Sequence, residues 1–175
     1  VMEGQRPFTG RYRSESLAAV KPSSSSGFTV GLTQNYYIGD GSYANNGWLQ
    51  ETPDPLTKLT WGNAALVSPA TARRLGLRDV SAIEQTRHDV VRIVTDAGEV
   101  ELPAWIVPGM ADEMVAVALG YGRTRAGKVG DGVGTNIYPI RTSRAMWLAR
   151  GVRIERAGTT AVAPATTQHH WMLDP

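Results

Sequence analysis

The feature that most constrains the fold is a pair of β-strand patterns joined by a short turn. HDVVRIVT, residues 88–95, is rich in β-branched side chains, and Asp96-Ala97-Gly98 follows it as a turn. The next segment, GEVELPAWIV, alternates strictly, so that one face carries Val100, Leu102, Ala104 and Ile106. Pro103 cannot donate to a strand ladder and indicates an edge position or a bulge. The pattern predicts a β-hairpin with one buried face.

Further strand patterns surround this hairpin, and one helix interrupts them. FTVGLTQNYYI at 28–38 and MVAVALGYG at 114–122 are typical of strands, and a cluster of short strands is expected from Gly151 to Ala163. Ser68 is a good N-cap, Pro69 suits the first helical turn and Gly76 suits the position after the end, which predicts a short helix from Pro69 to Leu75. The fold class expected is mainly β, a barrel or sandwich with one or two short helices.

The ends of the chain differ in composition from its middle. Val1 to Gly27 is polar and ends in the linker-like run PSSSSG, so residues 1–27 are expected to form a flexible arm. The folded domain is expected over residues 28–171. Residues 172–175 are expected to be a cut edge leading toward a next domain.

Composition disfavours several classes of function. The 175 residues include no cysteine, so no disulfide, thiolate metal site or cysteine-bound iron–sulfur cluster is expected in this chain. The net charge is +2 and the basic residues are scattered, which argues against nucleic-acid binding. No apolar run reaches the about 20 residues that span a bilayer. His88, His169 and His170 lack partners at metal-ligand spacing, and no nucleophile–base motif predicts a catalytic residue.

The segment GYGRTRAGKVGDGVGTN, residues 120–136, combines glycines with Arg123, Arg125 and Lys128. Glycines let a backbone approach a phosphate, and the basic side chains supply charge. The spacing matches neither a P-loop nor a dinucleotide fingerprint. Two interpretations remain: a loop that contacts an anion or cofactor, and a structural loop that packs on neighbouring domains.

The segment NNGWLQETPDPLTKLTWGNAA, residues 45–65, carries much apolar surface without helical or strand periodicity. It is therefore predicted to be an irregular connection with turns at its asparagines and prolines. Its large side chains are expected to anchor it against the barrel or a neighbouring domain; they are Trp48, Leu49, Leu56, Leu59 and Trp61. Trp48, Leu49 and Trp61 are the predicted interface residues.

The order of these parts resembles a known family. PATARRLGL, DVVRIVT, DAG, EVELPAWIV and PGM follow one another as in the C-terminal molybdopterin-dinucleotide-binding domain of the dimethyl-sulfoxide-reductase superfamily, which is a double-psi β-barrel. Three longer segments, ANNGWLQETPDPLTKLTWGNAALVSP, GYGRTRAGKVGDGVGTNIYPIRTS and ERAGTTAVAPATTQHHW, are similar to the molybdopterin-oxidoreductase-like iron–sulfur subunit of alternative complex III. The resemblance covers about Gly41 to Trp171.

The resemblance implies a structural, cofactor-free domain of a respiratory complex that oxidises quinol and passes electrons toward a cytochrome or oxidase. Iron–sulfur clusters would lie only in the rest of the subunit. The partners would be other domains of that subunit and other subunits of the complex, on the outer side of the cytoplasmic membrane and without insertion of this chain into it. The alternative is a domain that helps bind molybdopterin guanine dinucleotide in a molybdenum oxidoreductase, through Arg123, Arg125 and Asn136.

Overall fold

The structure, a computed structural model, describes residues 26–78 and 87–162. Six strands, two short α-helices and one 3₁₀ turn make up its regular elements. They are β1 (Phe28–Thr33), α1 (Gly47–Glu51), β2 (Ala65–Val67), α2 (Pro69–Arg74), β3 (Arg87–Thr95), β4 (Gly98–Ile106), β5 (Met114–Ala118), the 3₁₀ turn (Tyr138–Ile140) and β6 (Leu148–Val162). Residues 1–25 of the predicted arm and residues 163–175, with His169 and His170, lie outside the described residues.

The six strands close into a barrel in the order β1-β5-β2-β4-β3-β6. β1 pairs with β5 and β2 pairs with β4 in parallel, and the other four pairings are antiparallel. β5 therefore lies between β1 and β2, and β4 lies between β2 and β3. These two crossed arrangements are those of a double-psi barrel, and the predicted mainly β fold with one or two short helices is confirmed.

The barrel interior is filled by the apolar faces of the strands. The predicted hairpin forms from β3 and β4, which pair from Thr95↔Gly98 to Val90↔Pro103. Val100, Leu102 and Ala104 are buried, whereas Glu99 and Glu101 are exposed, as the alternation predicts. Pro103 lies at the last pair with β3, immediately before the pairing with β2 begins at Ala104. Its missing N–H is accommodated at this change of partner strand, and β4 is not an edge strand.

The helix predicted at Pro69 forms as α2. Ser68 Oγ accepts a hydrogen bond from the Thr71 amide at 3.0 Å, and Gly76 follows the C-cap Leu75 with φ +65°. A further hydrogen bond fixes the start of α2, since the Ser68 hydroxyl donates to Asp112 Oδ1 at 2.6 Å. Capping residues therefore located both ends of the helix correctly.

Several expected elements differ from those observed, and β5 for example ends at Ala118 rather than at Gly122. β1 ends at Thr33 rather than at Ile38, because Asn35 Oδ1 accepts from the amides of Tyr37 and Ile38 and turns the chain. The cluster of short strands after Gly151 is one strand of 15 residues, β6, interrupted in sequence pattern by Gly151 and Gly158, both at positive φ. The segment 45–65 also contains a regular element, the single helical turn α1.

Candidate functional site

Two loops meet at one end of the barrel because β1 and β5 are parallel. Thr33 pairs with Ala118, so the connections that follow both strands leave the barrel side by side. Between them lies an open cleft of about 650 Å³. Its lining includes Asp40, Ser42, Gly120, Tyr121, Gly122, Arg123, Thr124, Arg125, Asn136 and Tyr138. The structure therefore brings together all three residues predicted to contact a cofactor.

The glycines at the base of this cleft allow the chain to approach itself. Gly120 has φ +97°, and a Cβ there would lie 2.6 Å from the Gly41 nitrogen. Gly122 has φ +72°, and a Cβ there would overlap the backbone of Asn136. Both glycines are thus used for close packing between loops, and neither leaves space that a ligand would fill.

Hydrogen bonds hold the same loops together. Arg123 Nη1 donates to the Gly41 carbonyl at 2.6 Å, and the Tyr138 hydroxyl donates to the Asp40 carbonyl at 2.8 Å. Asn136 Oδ1 accepts from the Tyr138 amide at 3.1 Å. Among the residues described, neither the Arg125 guanidinium nor the Asn136 amide nitrogen donates to a protein group, so both are available at the rim of the cleft.

Asp40 adds a negative charge to the cleft. The hydroxyl of Ser42 donates to Asp40 Oδ1 at 2.5 Å and the Ser42 amide donates at 3.1 Å. The Ser42 hydroxyl, then its amide, and more weakly the charge of Arg123, hold the pKa of Asp40 below its usual value. At neutral pH the cleft therefore carries two guanidinium groups and one carboxylate, a mixed charge that weakens attraction for a pyrophosphate.

A molybdopterin guanine dinucleotide would need a more enclosed site than these residues form. Ligand pockets bury about 70–90% of a bound molecule, whereas Arg123, Arg125 and Asn136 are all exposed. Arg123 is already engaged by Gly41, and the glycines are filled by neighbouring backbone. By themselves, the described residues offer donors for one anionic group at the rim and do not enclose a larger ligand.

A second, smaller core supports the cleft from beneath. Ile38, Ala44, Tyr121 and Ala126 form a buried cluster, against which Leu49 packs. The Tyr121 hydroxyl accepts from Asn35 Nδ2 at 3.1 Å. Burial, with a smaller contribution from Asp54, raises the pKa of Tyr121 to about 12, so its phenol stays protonated and acts as a packing group. Sequence reasoning missed this cluster because its residues are far apart and follow no period.

The predicted interface residues of the segment 45–65 have different environments. Leu49 packs on the second core, Leu59 is buried and Trp61 is half-buried. Trp48 is 83% exposed and Leu56 is 88% exposed, so neither anchors the segment to the barrel. Trp48, Trp61 and Val129 line one open depression, which we call the tryptophan surface. The role of Trp48, Leu49 and Trp61 at an interface stays a prediction.

α1 arises from local hydrogen bonds that leave no periodic signal. Asn46 Oδ1 accepts from the amides of Trp48 and Leu49 at 3.1 and 3.4 Å, which makes Asn46 the N-cap. Gln50 Nε2 donates to the Ala44 carbonyl at 2.6 Å and fixes the helix on the loop before it. One helical turn is too short for a 3.6-residue repeat, which explains why this segment was predicted to be irregular.

The remaining candidate groups serve packing. His88 is buried and stacks on Trp105 with ring centroids 5.0 Å apart. Burial lowers the pKa of His88, which favours the neutral ring. Within residues 26–78 and 87–162, no group of three or more His, Cys, Asp or Glu side chains is placed to hold a metal ion. No helix in that part of the chain is long and apolar enough to cross a membrane.

Comparison with known proteins gives one sequence relative. No protein-family model matches the chain. The "Menaquinone reductase, molybdopterin-binding-like subunit" of Nitratidesulfovibrio vulgaris is 30% identical over 99 residues, which are 53% of this chain and 13% of that protein. The predicted resemblance to molybdopterin-binding-like proteins is confirmed. Because the aligned part is a small fraction of the relative, the activity and partners of the whole protein are matters for proposal.

Several solved structures match part of the chain. Acetylene hydratase from Pelobacter acetylenicus superimposes with a TM-score of 0.48 at 14% sequence identity, over 74% of this chain and 18% of that chain.

Proposed function

We propose that this chain is a structural, cofactor-free domain of the large iron–sulfur subunit of a quinol-oxidising respiratory complex. In that role it packs against other domains of the subunit and helps to hold the cluster-bearing part against neighbouring subunits. The complex passes electrons from quinol toward a cytochrome or oxidase, and this chain lies on the outer side of the cytoplasmic membrane. The assignment to alternative complex III belongs to this proposal.

The observation that carries the proposal is the internal use of the cleft residues. Because they lack a side chain, Gly120 and Gly122 pack closely against Gly41 and Asn136, and Arg123 donates to the Gly41 carbonyl. These groups contact the chain itself and do not form an open binding surface. A loop retained in this way stabilises the barrel end whether or not a ligand is present. Similarity to a subunit named molybdopterin-binding-like, rather than molybdopterin-binding, supports the same interpretation.

The relative is named for reducing menaquinone, whereas the proposed complex oxidises quinol. Reduction of a quinone to a quinol and oxidation of a quinol to a quinone are opposite directions of the same two-electron reaction. Because the proposed scaffold role assigns no electron-transfer step to this chain, it is compatible with either direction.

The alternative is that the barrel helps to bind molybdopterin guanine dinucleotide in a molybdenum oxidoreductase. One observation favours it: Arg123, Arg125 and Asn136, all from the glycine-rich segment 120–136, line one cleft. In that case the free donors of Arg125 and Asn136 would contact the cofactor.

Metal and pterin analysis of the full-length native subunit separates the two functions. The scaffold function predicts iron without stoichiometric molybdenum or tungsten and without a fluorescent pterin product after oxidation. The variants Arg125→Ala and Asn136→Ala test whether this cleft holds a cofactor, because both side chains are exposed and donate to no described protein group. Stoichiometric molybdenum or tungsten with pterin, reduced in these two variants, would establish the alternative.

A further inference from the structure

The segment that leads from the 3₁₀ turn into the start of β6 exposes apolar and basic side chains together. Met146, Trp147 and Leu148 are consecutive, and each is about half exposed. Basic residues flank them on both sides in the sequence IRTSRAMWLARGVR. We call the group of the half-buried Arg141 and the exposed Arg144, Met146, Trp147, Leu148 and Arg150 the arginine–tryptophan surface. It shares no residue with the cleft or with the tryptophan surface, although Arg141 contacts Tyr138 at the edge of the cleft.

Arg141 is held in a fixed position on this surface. Its Nε donates to the Met146 carbonyl at 3.0 Å. Its guanidinium carbon lies 4.8 Å from the ring centroid of Trp147 and 5.7 Å from that of Tyr138, which are cation–π distances. Because the side chain is already ordered, little rotamer entropy would be lost when its Nη atoms bind a partner.

A recess beside this surface concentrates positive charge. Its volume is about 660 Å³, and Arg144, Arg150 and Arg153 line it together with one carboxylate, that of Asp96. Among the described residues, Arg144 and Arg150 form no side-chain hydrogen bond or ion pair. Arg153 lies 4.0 Å from Glu155 at its rim. The recess therefore offers guanidinium groups without enough carboxylates to neutralise them.

Elsewhere on this barrel, exposed charges are paired with charges of opposite sign. Across β3, β4 and β6, Arg92 is paired with Glu101 at 2.7 Å and with Glu155 at 3.7 Å, so the charges compensate one another. On the arginine–tryptophan surface the charges are uncompensated and adjoin exposed apolar residues. Arginine, tryptophan and methionine are enriched, and lysine is depleted, at the centres of protein interfaces.

We propose that the arginine–tryptophan surface binds an acidic segment of a protein partner, with a carboxylate in the recess and an apolar side chain against Trp147. The planar guanidinium forks suit bidentate binding of carboxylates, and a recess suits an inserted side chain better than a flat lipid surface. This inference deepens the proposed function and rests on it for the source of the partner, which is another domain or subunit of the same assembly.

Site-specific photocrosslinking tests the partner chemistry in the full-length native protein. The change Met146→p-benzoylphenylalanine places the crosslinker on the surface, and mass spectrometry identifies the crosslinked peptide. We expect a peptide with clustered Asp or Glu beside an apolar residue. The double variant Arg144→Glu/Arg150→Glu should lower the crosslink yield about tenfold, because two favourable charge interactions become repulsive.

A matched double variant, Arg73→Glu/Lys128→Glu, controls for the change in net charge. Both side chains are exposed and form no hydrogen bond or ion pair with described residues, so the yield should stay at the wild-type level. Equal yields for the two double variants, or a crosslinked peptide without acidic residues, would overturn the proposal. Charge-dependent binding to phosphatidylglycerol vesicles without a peptide crosslink would also overturn it, in favour of a lipid surface.

The same preparation separates this inference from the proposed function. Molybdenum and pterin content reports on whether the barrel binds a cofactor, and crosslinking reports on the partner. A preparation that contains stoichiometric cofactor but crosslinks to an acidic segment would refute the scaffold function alone. A cofactor-free preparation without the acidic crosslink would refute the inference alone.

Discussion

Gly120 and Gly122 determine how closely the two loops of the cleft can approach. Both residues have positive φ, and at both positions a Cβ would collide with backbone of another segment, Gly41 in one case and Asn136 in the other. Backbone atoms of a neighbouring loop cannot rotate away as the end of a flexible side chain can. The absence of a side chain at these two positions therefore lets the loops come close enough for Arg123 to reach the Gly41 carbonyl.

We predict that Gly122→Ala lowers the free energy of unfolding by about 3 kcal/mol, the combined effect of a strained φ and a backbone overlap. Gly127→Ala is the matched control, because Gly127 also has positive φ, at +89°, but nothing lies within 4 Å of its Cβ position. The control should lose only about 1 kcal/mol. Urea unfolding measures both, and equal losses would show that close packing does not determine the cleft.

At the scale of elements, Asp89 on β3 connects Arg78, which follows α2, to Arg156 on β6. Its side chain is 1% exposed, and its Oδ1 accepts from Arg78 Nη2 at 3.0 Å and from Arg156 Nη2 at 2.9 Å. Asp89 Oδ2 also accepts from the Arg78 amide at 2.8 Å. Burial opposes ionisation, but these hydrogen bonds and the charge of Arg156 outweigh it and keep the pKa of Asp89 below its usual value.

A carboxyl group with a lowered pKa in the folded state stabilises the fold above the unfolded pKa, which is about 3.9, and loses this contribution as the pH falls through the folded pKa. We predict that Asp89→Asn lowers the free energy of unfolding at pH 7 by about 2 kcal/mol, since the arginines are partly solvated. As the pH falls below about 4, where carboxylates titrate, the variant should also lose less stability than the wild type.

The matched control is Glu51→Gln, which removes the same charge from an exposed side chain that forms no ion pair with described residues. Its stability and its acid profile should follow those of the wild type when urea unfolding is measured across the pH range. If Asp89→Asn and Glu51→Gln had the same profile, the ion pairs of Asp89 with Arg78 and Arg156 would contribute nothing to acid sensitivity.

Local signals predicted those elements whose determinants are close together in sequence. α2 has its N-cap, its proline and its terminal glycine within nine residues, and the hairpin β3–β4 has an alternating pattern with a turn between the strands. α1 and β6 were predicted incorrectly for the opposite reason. α1 depends on side-chain hydrogen bonds within one turn, and β6 continues past two glycines because its pairing with β1 and β3 shifts register at each of them and then resumes.

The candidate site could be predicted only in part. Its glycines and basic residues were evident, and the structure does place Arg123, Arg125 and Asn136 in one cleft. Asp40, which adds a negative charge, and Ser42, which donates to it, come from a loop about 80 residues earlier in the sequence. Only the parallel pairing of β1 with β5 places that loop beside the glycine-rich one, and no local pattern encodes this pairing.

At the scale of the whole molecule, the strands of the closed barrel form the core, and the connections between strands form the open surfaces. The cleft, the tryptophan surface and the arginine–tryptophan surface are all formed mainly by segments between strands. Strand side chains that point inward are almost fully buried, and the outward charges of β3, β4 and β6 pair with one another. A scaffold domain of this kind would present its partners with loops held rigidly by a barrel.

The tryptophan surface gives the last test at this scale. Trp48 is 83% exposed, so Trp48→Ala should change the free energy of unfolding of the chain by less than about 0.5 kcal/mol. If the surface packs on a neighbouring domain or subunit, the same change should weaken association at least about tenfold, because a tryptophan at the centre of an interface contributes strongly.

Trp48→Phe should retain most of the association, since it keeps an aromatic ring at the same position. Co-purification of the full-length subunit with the rest of its assembly, at increasing dilution, measures association, and urea unfolding of the chain measures stability. A loss of stability with Trp48→Ala would mean that the side chain packs on its own barrel. Unchanged stability together with unchanged association would mean that Trp48 is merely solvated, and the interface prediction for this segment would be wrong.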